Sequence, residues 1–261
     1  STGTNYSDIQ LGRYTFNTTN GTPTPVQLAY TEANPENYKQ LVTIYQYYQE
    51  YATRANPDGI VGSDGLNAIA KNLGAFVESV KSNGGYYIGR YEASYGGGTS
   101  VADYKPLSKV STDTSFSTSK LGSLWINVIQ VDAAKISRNM YNNDNNVGVE
   151  SDLVNSYAYD TAIVFIQEMG NANYANKKSV NSTVMNTGTT NDKACNIFDM
   201  ASNCFEWSTE YSVYNNGSDA YPCVHRGGHY NDNSSPRYRN NTYSYVITSF
   251  GGVFRVLLYI K

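Results

Sequence analysis

The spacing of apolar positions changes along the chain, and each change predicts an element. After a polar lead-in, Asn34-Pro35-Glu36 reads as a helix opening: a capping side chain, a proline in the first turn, and a carboxylate near the positive helix end. Leu41, Ile44, Tyr45 and Tyr48 follow at helical spacing and read as core packing. A second helix carries Leu66, Ile69, Leu73, Phe76, Val77 and Val80 and ends at Asn83-Gly84-Gly85. Gly85 to Ser94 reads as a strand. The Gly-, Ser- and Thr-rich stretch from Gly96 to Ser119 reads as a linker with little to order it. Two more helical patterns span about Ile126 to Met140 and about Val154 to Met169, with Gly170 as the stop of the second. Asn171 to Asp192 is rich in Asn, Thr and Ser and reads as loop. Beyond it lie short aromatic segments between turn residues, which predict irregular loops pinned to a small sheet.

Composition narrows what these elements can do. A chain of 261 residues can form one large domain, or one domain with an appendage, around a substantial core. Net charge is only -3 and no basic stripe exists to track a phosphate backbone, so nucleic acid is not expected as a partner. No apolar run approaches bilayer length, so no membrane insertion is expected, and STGTNYSDIQ lacks a charged-then-apolar signal pattern. Cys195, Cys204 and Cys223 form no CxxC pair that would suggest zinc. A Cys195–Cys204 or Cys204–Cys223 bridge is conceivable, and free thiols are the simpler reading. With only His225 and His229 present, a three-histidine metal centre cannot form within the chain, and a Ser-His-Asp triad would have to use one of these two.

The most specific string is Asn196-Ile197-Phe198-Asp199-Met200-Ala201-Ser202-Asn203-Cys204-Phe205-Glu206-Trp207. It resembles the N-x-x-D-M-A-G-N-V-W-E-W signature of the formylglycine-generating-enzyme-like (sulfatase-modifying-factor) branch of the C-type lectin fold. Other landmarks come in that family's order. Tyr87 to Glu92 is similar to its opening strand, Ser156, Tyr159, Asp160 and Ala162 sit where it has a second helix, Arg226-Gly227-Gly228 matches R-G-G, and Gly252 to Val256 matches G-F-R-V. The resemblance covers residues 84–261 and implies an α+β domain, two helices flanking a twisted antiparallel sheet with long loops. Residues 1–83 then form a helical N-terminal extension packed on it. Two departures stand out: Ser202 replaces the signature glycine and loses its freedom at positive φ, and Phe205 replaces the first Trp.

A fold does not carry an activity with it. The family's oxidases use paired cysteines between the R-G-G and G-F-R landmarks, and residues 229–250 contain none. The related iron-dependent sulfoxide synthases need three histidines, and the chain has two. No enzyme activity and no required cofactor are therefore expected. Members of the family also bind calcium at the signature loop. By resemblance the ligands would be the side chains of Asp199 and Glu206 and the carbonyls of Ser202 and Cys204, the oxygen-rich set a hard cation prefers. The alternative is that Asp199, Asn203 and Glu206 hydrogen-bond loop backbone and cap turns.

What is missing from the C-terminal stretch is more telling. Lys, Glu, Gln, Met and Trp supply 33 of the 261 residues, about one in eight, so a stretch of 50 would hold about six; residues 211–260 hold none. These five types are the ones an AAC or AAT codon cannot reach by changing its adenines. Such a gap is the fingerprint of a diversity-generating retroelement, in which reverse transcription mutates template adenines and writes the result into a target gene. Its targets usually have the C-type lectin fold, with the rewritten stretch near the C-terminus, here about 207–250. Tyrosine gives rigid amphipathic contact and Ser, Asn and Asp give adaptable hydrogen bonds, which is the composition of antibody contact loops. The competing reading is a polar loop covering a sheet.

The contact surface predicted on this basis consists of Tyr230, Asn231, Asp232, Asn233, Tyr238, Asn240, Asn241, Thr242, Tyr243, Ser244, Tyr245 and Ile247, with Trp207, Tyr211, Tyr214 and His229 as additional candidates. Trp207 can equally be core. Arg226, Arg237, Arg239 and Arg255 read as scaffold, and Pro236 as a loop brace. The expected partner is a variable protein or glycan on a host-cell surface, with the chain at a phage tail tip or displayed on a cell. A degenerate formylglycine-generating-type enzyme and a structural virion protein are the alternatives.

Overall fold

The computed structural model describes residues 9–27, 38–43, 46–50, 60–61, 67–68, 70–141, 148–214, 223–242 and 252–261. In chain order its first strands are β1 (Arg13–Phe16), β2 (Pro23–Gln27), β3 (Tyr38–Thr43), β4 (Gln46–Glu50), β5 (Ile60–Val61) and β6 (Asn67–Ala68). Helix α1 (Leu73–Asn83) leads to β7 (Tyr87–Ile88), β8 (Ser94–Tyr95) and β9 (Pro106–Leu107). Helix α2 (Gln130–Arg138), β10 (Val149–Leu153) and α3 (Ser156–Glu168) come next, followed by a short 3-10 turn at Tyr174–Asn176. The chain closes with β11 (Lys193–Ala194), β12 (Ile197–Phe198), β13 (Glu206–Tyr214), β14 (Cys223–Arg226), β15 (Arg239–Thr242), β16 (Val253–Phe254) and β17 (Val256–Ile260). The protein is thus mixed α+β, with three helices and several small, mainly antiparallel sheets among the described residues. None of these helices is long and apolar enough to cross a membrane.

Of the helical N-terminal extension the sequence predicts, α1 forms, but Tyr38–Thr43 and Gln46–Glu50 are strands. β3 and β4 form an antiparallel hairpin whose β4 pairs with β13, Tyr211 opposite Gln49 and Tyr214 opposite Gln46. Segment 38–50 is dense in Tyr, Thr and Val, residues that suit a pleated surface, and the edge of β13 gives it a ladder to join. The opening Asn34-Pro35-Glu36 lies outside the described residues, as do Ile44, Tyr45, Leu66 and Ile69. Helix α1 begins only at Leu73, where the Asn72 side chain accepts a hydrogen bond from the Ala75 amide (2.9 Å). It ends as expected at Gly84, left-handed at φ 72°, whose N–H closes onto the Val80 carbonyl.

Two other segments differ from expectation. Only Tyr87–Ile88 and Ser94–Tyr95 of the predicted 85–94 strand are extended in ladders. The stretch 96–119 is ordered: Tyr95, Tyr104, Phe116 and Trp125 pack edge-on or stacked at 4.9–6.0 Å between ring centroids, pulling the loop onto the core. Helix α3 matches its prediction closely, capped by Asn155 and followed by Gly170 at φ 102°.

Helix α3 is buried almost all round and forms one core with α1, β1 and β17, where Phe76 meets Tyr259 edge to face. A second core gathers Trp125, Trp207, Phe254 and the small residues Ala133 and Ala134 of α2. The largest sheet, ordered β15-β14-β13-β4-β3 with β16 parallel to β13, carries the C-terminal candidate surface at its β14–β15 end.

Candidate binding face

Strands β14 and β15 pair Arg226 with Arg239, His225 with Asn240 and Val224 with Asn241, and residues 227–238 loop between them. The loop's start is sterically fixed. A Cβ on Gly228 would fall 1.8 Å from the Ala201 carbonyl oxygen, and one on Gly227, at φ 90°, 2.6 Å from the Tyr159 hydroxyl. The amides reinforce this: Gly228 N–H donates to the Met200 carbonyl (3.0 Å) and Tyr230 N–H to the Asn203 carbonyl (3.0 Å).

Beyond that clamp the side chains turn outward. Asn231, Asp232 and Asn233 are exposed, Tyr230 and Asn240 are half-buried, and Tyr238 is 36% exposed. The far arm is braced again. Ser234, Ser235 and Pro236 are buried, and Arg237 donates through Nε to the Asn176 side chain (2.6 Å). Asn241 and Thr242 continue β15. The side chains of Asn241, Thr242, Tyr211 and Tyr214 lie outside the described residues, and so do Tyr243, Ser244, Tyr245 and Ile247 altogether.

Two of the additional candidates are not on the face. Trp207 is 2% exposed and donates through Nε1 to the Val128 carbonyl (2.7 Å), so of its two readings it takes the core one. His229 is 4% exposed and stacks on Phe205 (4.6 Å), which also stacks on His225 (4.2 Å) and meets Tyr238 (5.9 Å). The residue in place of the signature Trp is thus the centre of an aromatic pile whose outer member is Tyr238. Burial, with His229 nearby, drives His225 down to about 3, so it is neutral near pH 7.

Beneath the face lies an ion network that sequence reasoning missed in part. Arg226 Nη2 pairs with Asp160 (2.6 Å), Arg239 Nε with Glu210 (3.0 Å), and Arg239 Nη2 also reaches Asp160. Arg13 of β1 pairs with Glu210 as well, and Arg226 caps the Tyr159 ring at 4.5 Å while its Nε holds the Tyr238 carbonyl (3.1 Å). Burial alone would raise the Asp160 carboxyl; Arg239 and then Arg226 outweigh it and hold the group below its usual range. Arg226 and Arg239 are therefore scaffold. Arg13 carries a signal in hindsight, being a lone charge inside a strand-like segment, whereas Glu210 shares its strand with Glu206.

The proposed calcium ligands are engaged otherwise. Asp199 accepts from Thr187 Oγ1 (2.7 Å), from the Gly188 amide (2.9 Å) and from Thr190 Oγ1. Glu206 faces Arg255 through both oxygens (2.9 and 2.5 Å), and Arg255 also donates to the Gly89 and Phe198 carbonyls. Asn203, left-handed at φ 64°, donates to Glu92 Oε2 (2.5 Å) and braces Met185 through its amide and carbonyl. The positive φ expected at Ser202 falls on Asn203, a residue that tolerates it. A guanidinium lies against both Glu206 oxygens, and no group of three metal-ligating side chains occurs among the described residues.

None of the three cysteines forms a disulfide, and Cys204 and Cys223 are fully buried. Burial, followed by the charges of Glu92, Asp199 and Glu206, pushes the Cys204 thiol well above its ordinary value. No family model, no curated protein and no solved structure matches the chain.

Proposed function

We propose that the chain is a non-enzymatic binding protein whose C-terminal surface is diversified by a retroelement, on a C-type lectin fold of the formylglycine-generating-enzyme-like branch. Its ligand is a protein or glycan on a host-cell surface, which the chain meets from a phage or prophage particle. The observation that carries this reading is the absence of Lys, Glu, Gln, Met and Trp from residues 211–260. Two physical facts support it. The exposed tip 231–233 and the Tyr238 ring stand on a clamp and a buried ion network, so contact residues are held still before binding, which limits the ordering cost of association. The thiols an oxidase would need as thiolates are buried or, at Cys195, raised by burial. The reading requires no cofactor.

The test is the gene's neighbourhood. A reverse transcriptase beside a near-copy of the 3′ coding end, differing only at template adenines, is the expected finding. A near-copy that differs at other bases as readily, or none at all, refutes the retroelement. For the enzyme alternative, measurable oxidation of a Cys-containing peptide by the purified chain refutes the non-enzymatic part.

A further inference from the structure

A pocket of about 490 Å³ opens between α1, α3 and the β11–β12 turn, and none of the described binding-face residues lines it. That volume lies in the range of small-molecule sites. Its walls are apolar, among them Leu11, Val80, Ile88, Phe165 and Ile197, and several of these wall residues pack on the main core while staying only partly buried. Among the described residues its lining contains no carboxylate and one cation, Arg90. The Arg90 backbone is fixed, its carbonyl accepting from the Phe198 amide (2.9 Å), while its side chain is exposed and forms no ion pair among the described residues. That sets it apart from Arg13, Arg226, Arg239 and Arg255, each matched to a buried carboxylate. The Tyr86 hydroxyl is already spent on the Ala158 carbonyl (2.7 Å).

The rim opposite is built at a conformational cost. Cys195 and Asn196 form the two-residue turn between β11 and β12 with φ values of 50° and 65°, left-handed at both positions where glycine is usual. Such residues cost on the order of 1 kcal/mol each. The turn places Cys195, the one cysteine that is not fully buried, in the pocket wall.

The geometry points to a binding site for a small amphiphilic monocarboxylate, its head on Arg90 and an apolar body of about ten carbons along the walls. A guanidinium fork suits a carboxylate in two-point contact, and no acid among the described lining residues opposes that charge. This site is independent of the diversified surface, and failure of either reading leaves the other standing.

Decanoate, below its micelle concentration, is the probe, tested on the full chain by calorimetry and by iodoacetamide alkylation of Cys195. With Cys204 and Cys223 buried, alkylation of the native protein reads Cys195. Decanoate at about ten times its Kd should slow that reaction about tenfold. Arg90→Ala, an exposed change that leaves the core intact, should weaken decanoate by about tenfold or more while leaving decanol binding within about twofold. Absence of decanoate binding to the folded chain, binding that leaves Cys195 reactivity unchanged, or an unaltered decanoate affinity in R90A would each overturn the proposal.

Discussion

Residues 226–228 and residues 231–233 lie only a few positions apart in one loop and obey opposite rules. In the first group every atom is accounted for: Arg226 is wholly buried between Asp160, Glu210 and the Tyr159 ring, and neither glycine has space for a methyl group. In the second group the side chains are exposed, and only Asp232 among them fixes a neighbour, through the Ser234 amide (2.6 Å). Constraint is set by what lies beneath a residue and hardly at all by its position in the sequence. The frame draws its partners from the whole length of the chain, with Arg13, Asp160, Glu210, Arg226 and Arg239 meeting under one strand pair. The face draws on water.

That contrast can be broken by mutation, most severely at Gly228. Gly228→Ala drives a methyl into the Ala201 peptide, and a loss of more than about 4 kcal/mol is expected, read as failure to give a cooperative urea transition. Arg226→Met should cost about 3–5 kcal/mol in urea midpoint analysis, because it strands the buried Asp160 carboxylate with one guanidinium fewer. A loss under 1 kcal/mol for either would mean that the frame is not rigid.

The next effect is one of pH. The folded pKa of His225, about 3, lies below its ordinary value of 6.5, so the folded state resists protonation. Its contribution is fully present above 6.5 and is lost as pH falls from there toward 3, at up to about 1.4 kcal/mol per unit. His225→Phe keeps the stack on Phe205 and should remove this component, so the stability difference between wild type and H225F should change with pH between about 6 and 4. A difference that is flat across that window contradicts the buried neutral imidazole. The smallest effect belongs to the face: Asn231→Ser, Asp232→Asn and Asn233→Thr should each shift stability by no more than about 0.5 kcal/mol in thermal melts, while changing which partner is retained in a binding panel.

Helices with clear stops were legible in the sequence. Helix α3 sits between Asn155 and Gly170 because a capping amide and a left-handed glycine mark its ends locally. Segment 38–50 was misread because helical spacing of Leu41, Ile44, Tyr45 and Tyr48 coexists with strand-forming composition, and the deciding factor, the β13 edge, lies over 160 residues away. The 96–119 stretch reads as a linker because serine, threonine and glycine make up 13 of its 24 residues, whereas its order comes from single aromatics at Tyr104 and Phe116. At the site, the clamp and two of the scaffold arginines, Arg226 and Arg255, could be read from motif landmarks. The depth of His229 could not, since its stacking partner Phe205 lies 24 residues earlier in the chain.

The steric demand at Gly228 has a counterpart in the genetic code. Every glycine codon begins with two guanines, and an adenine can stand only in its third position, where any change is silent. Where the template codon is itself a glycine codon, a mutagenic process directed at adenines cannot place a side chain at Gly227 or Gly228, where none fits, nor at Gly252, where a Cβ would crowd the Trp207 indole at 3.0 Å. Under the proposed mode of diversification, glycine codons at these three template positions would write the points that least tolerate substitution in letters the mutator does not read.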